Sequence, residues 1–437
     1  MKPLTKKLLL ISVAAFSLLP ESLSALAAFS RQTGKSCAAC HAQNMPKLNS
    51  YGREFALSGY AFYDKERKGE TLIEGSEVPL GLPTSLNVSA VLKGRYIKTT
   101  QEQTALSGDI IGEGRGEFQA LGGSGLYLGG RIADNFGALL SIKGDELDKS
   151  NIVYNGKLIM AYPLMYGYGG MSLLSTETNG VFSGMENYNT GLNATLKQFE
   201  NAYSTNAAQA TGVGNGPATS LQAYYGDANL FATAGVSMPS QNSDGLDAGE
   251  SLLPFWRAAY EQPIGDWNFM VGTYGFSGKV RASDQSLNGG LIDGKANLAN
   301  IRKEGYGFDF EADGALFDMS AMATINYVAR NVVEVDSPSP ITSYNLQKTN
   351  NEAASIEFQI NPIKPLGLKV AYLSYANNEA AATNQKFIKN YDYDAYGFGV
   401  SYSPRENVLL GVDYSHYDPE SNLGGYHDFY ATAILVF

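Results

Sequence analysis

Short segments of alternating polarity recur along the whole chain, parted by tight turns and by long polar loops in alternation. The stretch Leu86 to Ile97, LNVSAVLKGRYI, sets the pattern. Leu86, Val88, Ala90, Leu92 and Tyr96 lie on one face. Asn87, Ser89, Lys93 and Arg95 lie on the other, joined by Val91 and Ile97. A period of two is that of a strand with one apolar face. Such segments are expected near residues 85–97, 116–132, 136–145, 156–162, 167–174, 217–226, 230–238, 253–262, 267–276, 304–314, 318–331, 351–361, 365–376, 392–403, 407–417 and 427–437. The turns between alternate pairs are short and rich in Gly, Pro, Asp and Asn. Examples are Ala133-Asp134-Asn135, Gly226-Asp227-Ala228-Asn229, Pro263-Ile264-Gly265-Asp266 and Ser403-Pro404-Arg405-Glu406. The other connections are long: Ser175 to Pro217, Lys279 to Lys303, Val332 to Asn350. Short turns at one end and long loops at the other is the layout of bacterial outer-membrane barrels. The expected fold is therefore all-β: a transmembrane antiparallel β-barrel of about sixteen strands. An even count puts both termini at the short-turn, periplasmic end.

A soluble β-sandwich shows the same alternation, so the choice rests on further features. The chain holds 48 Gly and 28 Tyr, and 17% of its residues are charged. No later stretch approaches the 18 consecutive apolar residues of a membrane helix. The final segment Phe429 to Phe437, FYATAILVF, ends on an aromatic residue that shares a face with Phe429, Ala431, Ala433 and Leu435. A terminal aromatic on an alternating last strand resembles the recognition signal of outer-membrane barrels. In 318–330, Asp318, Ser320, Met322, Thr324, Asn326 and Arg330 share the face expected to line the lumen, and Met319, Ala321, Ala323, Ile325 and Tyr327 the one expected to meet lipid. At this strand number the lumen is wide enough for a channel or a plug. The formal net charge of −11 argues against nucleic acid as a partner. Acidic loop residues such as Asp145, Glu146 and Asp148 read as solvated charges.

The N-terminus sets the compartment. Lys2, Lys6 and Lys7 precede the apolar run Leu8 to Leu19, and Ala25-Leu26-Ala27 is a small-residue cleavage site. Residues 1–27 are expected to be a secretory signal peptide, with the mature chain starting at Ala28. Residues 28–80 then form a separate N-terminal segment, and 81–437 the barrel in the outer membrane.

That segment contains the only two cysteines, Cys37 and Cys40, followed at once by His41. Cys-x-x-Cys-His is the attachment signature of c-type haem: the thiols add to the vinyl groups and His41 is the proximal axial ligand of the iron. A disulfide would close a very small loop. A thioredoxin-like pair wants a βαβ context, and a zinc site wants a fourth ligand. Past the motif, Pro46 suits a first helical turn, Leu48, Tyr51, Gly52 and Phe55 recur at helical spacing, and Gly59 closes the end. About fifty residues are few to wall in a haem. The lumen is the natural wall, and the segment is expected to be a haem-binding plug. Met45 is a candidate sixth ligand, although four residues after His41 it falls on the same side of the haem. Met270, Met322, His416, His427 and an open or water-bound position are the alternatives. His416 and His427 map to the long-loop end.

Phe29 to Tyr60, FSRQTGKSCAACHAQNMPKLNSYGREFALSGY, resembles the opening of the fused monohaem cytochrome–porins, outer-membrane proteins in which one N-terminal haem motif leads into a single-chain barrel. The matching pieces are Arg31-Gln32-Thr33-Gly34, Cys37 to His41, Pro46 to Leu48, Tyr51-Gly52-Arg53, Phe55 and Gly59-Tyr60. GGRIADNFGALL (129–140) and PFWRAAYEQPIGDWNFMVGTYG (254–275) look like barrel hairpins of that family. Met45 stands where the family leads one to expect an aromatic residue. The resemblance implies one covalent haem and electron transfer between an extracellular partner, Fe(II) foremost as donor, and a periplasmic cytochrome or other carrier. The chain would then act as an iron(II):cytochrome c oxidoreductase. The rival expectation is a porin whose haem segment is a plug or redox gate, or a conduit for a partner other than iron.

Overall fold

The computed structural model describes residues 27–41, 47–61, 87–100, 116–144, 152–185, 187–188, 190–202, 205–238, 252–283, 291–292, 295–296, 298–336, 349–377, 392–419 and 425–437. Met45 and Pro46, Asp145, Glu146 and Asp148, and all of the leader except Ala27 lie outside them.

All sixteen expected strands are present. They are β1 (Val88–Thr99), β2 (Glu117–Gln119 and Gly125–Ala133), β3 (Phe136–Gly144), β4 (Ile152–Leu164), β5 (Gly167–Thr176), β6 (Ala218–Gly226), β7 (Leu230–Met238) and β8 (Leu253–Ile264). There follow β9 (Trp267–Ser283), β10 (Leu298–Leu316), β11 (Met319–Asp336), β12 (Thr349–Ile363), β13 (Leu366–Asn377), β14 (Tyr393–Arg405), β15 (Val408–Pro419) and β16 (Tyr426–Val436). The two pieces of β2 both pair with β1, at Arg95↔Gln119 and at Val91↔Gly125, so they count as one interrupted strand. Each strand is antiparallel to the next, and β1 pairs with β16 from Val91↔Val436 to Thr99↔Asp428. The sheet is thus closed and has no open edge, the condition for a sheet to sit in lipid. Among the described residues no helix is long and apolar enough to cross a membrane.

The alternation is honoured on both faces. On β1, Ser89, Lys93 and Arg95 are buried in the interior while Leu92 and Tyr96 face out. On β11, Thr324 and Asn326 are buried and Ile325 and Tyr327 exposed. An outer belt of Leu140, Leu158, Val271, Ile356, Val370, Val400 and Val412 is flanked by aromatics at both ends. Tyr162, Tyr260, Tyr402 and Phe437 stand at one end, and Tyr154, Tyr306, Tyr372, Tyr396 and Tyr414 at the other. Apolar residues facing outward between two aromatic girdles are the surface a bilayer requires.

Three sequence expectations need correcting. Asp318 is not a strand residue. It forms with Phe317 a two-residue turn in which both φ angles are positive, 51° and 63°, the backbone twist that suits a tight hairpin. The connection expected from Lys279 to Lys303 is shorter, because β9 and β10 stay paired from Trp267↔Gly314 out to Ser283↔Leu298. The long segment between β5 and β6 is not a purely solvated loop. It turns inward, and its Val181, Phe182, Leu192, Ala207, Ala208 and Val213 pack with Phe255, Tyr274, Val328 and Leu373 of the wall in a lumenal core. Apolar residues in that segment gain burial only inside the barrel. Its polar groups find partners there: Asn206 Nδ2 donates to Glu357 (3.2 Å), the backbone N–H of Ala207 to Ser355 Oγ (2.9 Å), and Lys369 Nζ to the Gln198 carbonyl (2.7 Å).

Candidate functional site

Two lumenal features frame the site: the N-terminal segment at the short-turn mouth, and a cavity beside the inward segment. The N-terminal segment forms three short helices, α1 (Ala27–Thr33), α2 (Cys37–Cys40) and α3 (Ser50–Leu57). Helix α3 starts later than Pro46. Asn49 is its cap, extended at φ −81°, ψ −179° and accepting the Gly52 N–H at 2.9 Å. Gly59, at φ 71°, ends the helical stretch as expected.

The wall grips this segment by apolar, hydrogen-bonded and ionic contacts. Phe55, Leu57 and Tyr60 join Ile159, Ala161, Tyr188, Tyr224, Phe231 and Met270 in one buried cluster. Tyr224 Oη donates to the Leu57 carbonyl at 2.7 Å, and the Ala28 N–H to Ser89 Oγ at 2.7 Å. A Cβ at Gly137 would lie 1.6 Å from the Gly59 carbonyl oxygen, so β3 must carry glycine where the chain passes. Arg53 donates to both oxygens of Glu261, at 2.6 and 2.5 Å, and lies over the Tyr188 ring at 4.7 Å. Lys47 Nζ approaches Glu311 at 2.5 Å and Asp313 at 3.5 Å, an ionic contact without the geometry of an aligned hydrogen bond. Two cations of the segment thus meet three carboxylates of the wall. All four groups of the two close pairs are nearly inaccessible to water. Neither pair was legible in the sequence, since their partners stand more than 200 residues apart.

Cys37 and Cys40 sit one helical turn apart in α2. Cys37 is buried, with Ser30 Oγ 3.5 Å from its Sγ, and Cys40 is partly exposed. No disulfide joins them. His41 follows with its N–H bonded to the Cys37 carbonyl at 2.9 Å and its backbone extended, φ −112°, ψ 143°. Helix α3 packs directly on this turn. The Asn49 N–H donates to the Cys40 carbonyl at 2.9 Å, and a Cβ at Gly52 would come within 2.0 Å of the same oxygen. Only glycine permits that approach. Burial raises the Cys40 thiol above its ordinary range, opposite to the lowered value of a thioredoxin-like nucleophile. Among the described residues no group of three or more His, Cys, Asp or Glu side chains is placed to hold a metal ion. Two thiols one turn apart with an adjoining imidazole are the donors that a covalently attached haem needs.

The candidates for the opposite axial position are scattered. Met270 is buried in the cluster that holds the segment, its sulfur 3.9 Å from Arg257 Nη2. Met322, the cross-strand partner of Asp313, accepts from Gln198 Nε2 at 3.5 Å. His416 and His427 stand at the far, long-loop end. Met185, on the inward segment, is buried beside Phe55 and Tyr60 and was not singled out by sequence. Nothing in the local spacing marks it, because its position depends on how the segment folds into the lumen.

The second feature is a cavity of about 510 Å³ between residues 194–202 and the wall made by β1–β4 and β12–β16. Its lining includes none of Cys37, Cys40 and His41. It carries five basic side chains (Lys93, Arg95, Lys143, Lys197, Lys369) and three acidic ones (Glu200, Glu406, Asp413). Lys93 and Arg95 both bind Glu200, at 2.5 and 3.2 Å, and Lys369 binds Asp413 at 2.8 Å.

Solved structures match this architecture. A loop-deletion mutant of OmpT, an outer membrane protein of Vibrio cholerae, aligns over 81% of this chain and 99% of its own, with a TM-score of 0.50 and 11% identity. An anion-selective porin from Comamonas acidovorans aligns over the same shares with a TM-score of 0.50 and 10% identity. The fold is that of an outer-membrane porin. No family model and no curated protein matches the chain. The barrel resides in the outer membrane, with lipid around its apolar belt.

Proposed function

We propose that this barrel carries one c-type haem on Cys37, Cys40 and His41 and passes electrons across the outer membrane. The reading is carried by a single observation: a Cys-x-x-Cys-His turn is built into a segment clamped inside a closed outer-membrane barrel. The thiols of Cys37 and Cys40 would hold the macrocycle and His41 Nε2 or Nδ1 the iron. When bound, haem supplies a one-electron couple that neither the thiols nor the imidazole offers. The chain's own part is to fix the group at the short-turn mouth, within reach of a periplasmic carrier. It also keeps bulk water away with Phe29, Phe55 and Tyr60, whose rings pack at 4.7–5.7 Å.

The external donor is proposed to be iron. Ser89, at the segment, and Thr99, at the rim, are ten residues apart on one strand, about 33 Å at 3.3 Å per residue. The donor must therefore enter the lumen. The net basic lining of the cavity favours an anionic chelate of Fe(II) over the aquated ion. A second reading is supported by the same cavity and by the porin fold: a pore for small anionic solutes with the N-terminal segment as plug. One preparation separates the two. Purified protein is mixed with Fe(II), aquated or as an anionic chelate, and proteoliposomes are assayed for solute flux. Electron transfer predicts a rising haem α-band with Fe(II), faster with the chelate. Reduction by dithionite but never by Fe(II), together with rapid flux, would leave the pore.

A further inference from the structure

Two lumenal cations toward the long-loop end stand together without a carboxylate. Lys303 on β10 shares the inward face with Gly305 and Asp309, and Arg330 on β11 with Asn326 and Val328. Lys303 pairs across the strands with Val332, and Gly305 with Arg330, so the two basic residues are diagonal neighbours with Cβ atoms about 7 Å apart. The charge of Arg330 acts on Lys303. Arg330 donates from Nη1 to the carbonyl of Thr211, the C-cap of the short helix Ala207–Ala210, at 2.6 Å, yet its Nε is buried without a partner. Among the described residues, no hydrogen bond or ion pair engages Lys303. Asn351, which faces Arg330 across β12, is 6% exposed and leaves its Oδ1 without a partner as well. Acids on the same strands are engaged elsewhere: Glu304 with Arg302 at 2.5 Å, Asp309 with Arg257 at 2.7 Å and Glu357 with Asn206 at 3.2 Å. The apolar lumenal core borders the pair, with Val328 two residues before Arg330 and the Phe276 ring packed over Gly305.

Like charges beside an apolar core are unfavourable unless an anion joins them. The three unpartnered groups also specify which anion. Lys303 Nζ and Arg330 Nε are donors, whereas Asn351 Oδ1 is an acceptor. A carboxylate or a sulfate can only accept. A phosphomonoester at neutral pH is mostly the dianion, its second pKa being about 6, so it too lacks a proton to give. Inorganic phosphate keeps at least one proton at neutral pH. Its charged oxygens suit the two cations, and its P–OH suits the amide oxygen. We propose that Lys303, Arg330 and Asn351 form a lumenal site for inorganic phosphate in its protonated form. Arg330 is preset for this role, because Thr211 holds Nη1 and leaves Nε to the ligand. The site shares no residue with the N-terminal segment or with the lining of the cavity beside residues 194–202. Its failure would therefore leave the haem reading untouched.

The test is calorimetric titration of the full-length protein in detergent, in phosphate-free buffer at neutral pH, with inorganic phosphate, sulfate and glycerol phosphate in turn. The expected result is one phosphate per chain. Sulfate and glycerol phosphate should bind about tenfold more weakly, the cost of one unmade charge-assisted hydrogen bond. Lys303→Gln should weaken phosphate by about tenfold or more on the same ground. Asn351→Leu should bring phosphate down to the level of sulfate. Arg302→Gln removes the same charge one residue away, from an exposed side chain, and should change nothing. Heat-dependent gel mobility reports a closed barrel in each variant. No phosphate binding by the wild type, equal affinity in Lys303→Gln, sulfate or glycerol phosphate binding as tightly as phosphate, or an equal loss in Arg302→Gln would each overturn the site.

Discussion

Replacing Glu261 by alanine is expected to release the N-terminal segment from the lumen while leaving the barrel closed. Arg53 would lose both carboxylate oxygens of Glu261, keep among the described residues only the Leu48 carbonyl at 3.4 Å as a hydrogen-bond acceptor, and remain a buried cation. Breaking one partner of a buried pair costs about 3–5 kcal/mol. The lower end applies here, because Glu311 and Asp313 also act on Arg53. A loss of about 3 kcal/mol shifts the docked-to-released ratio by roughly two orders of magnitude. Limited proteolysis reads this directly: cleavage between residues 28 and 80 should accelerate about a hundredfold, while the barrel keeps its heat-dependent mobility. Glu261→Gln retains an acceptor and should fall between. Unchanged protection in Glu261→Ala would mean that the apolar cluster around Phe55 and Tyr60 holds the segment unaided.

The second large effect is expected from His41→Ala. The side chain is presented by backbone that other contacts already fix: the His41 N–H on the Cys37 carbonyl and the bridge to Leu48. Alanine keeps those contacts, so the segment should stay folded and docked. On the proposed haem assignment, removing the imidazole would delete the proximal ligand, and ligand identity sets the electronic state of such iron. Fe(II)-driven reduction should be lost with the protein still in the outer membrane and still protected from protease. Wild-type redox behaviour in this variant would remove His41 from the assignment.

The barrel was readable in the sequence because each strand writes its own alternation locally: Ser89, Lys93 and Arg95 inward, Leu92 and Tyr96 outward. Strand ends were less readable. Beyond the lipid there is no apolar belt to keep a period of two, yet β9 and β10 go on pairing through Arg281↔Asn300. The turn that carries Cys37, Cys40 and His41 was legible for the same reason as the strands, since it is written in adjacent residues. What anchors it was not legible. Lys47 and Arg53 look like ordinary surface cations until β8 and β10 bring Glu261 and Glu311 against them. The inward fold of the segment after β5 was hidden likewise. Its Asn and Gln residues read as a solvated loop, and only the wall supplies Glu357, Ser355 and Lys369 as partners. The meeting of His416 with His427 needed the register of β15 against β16, and the sequence does not mark which of their side chains face each other.

The most direct test of the central claim is the intact mass of the protein purified from outer membranes, with and without thiol alkylation. A covalent haem on the N-terminal segment predicts a mass raised by one haem and no alkylation at Cys37 or Cys40. An unmodified mass with both cysteines alkylated, in cells competent to attach c-type haem, would contradict it and leave a plugged porin.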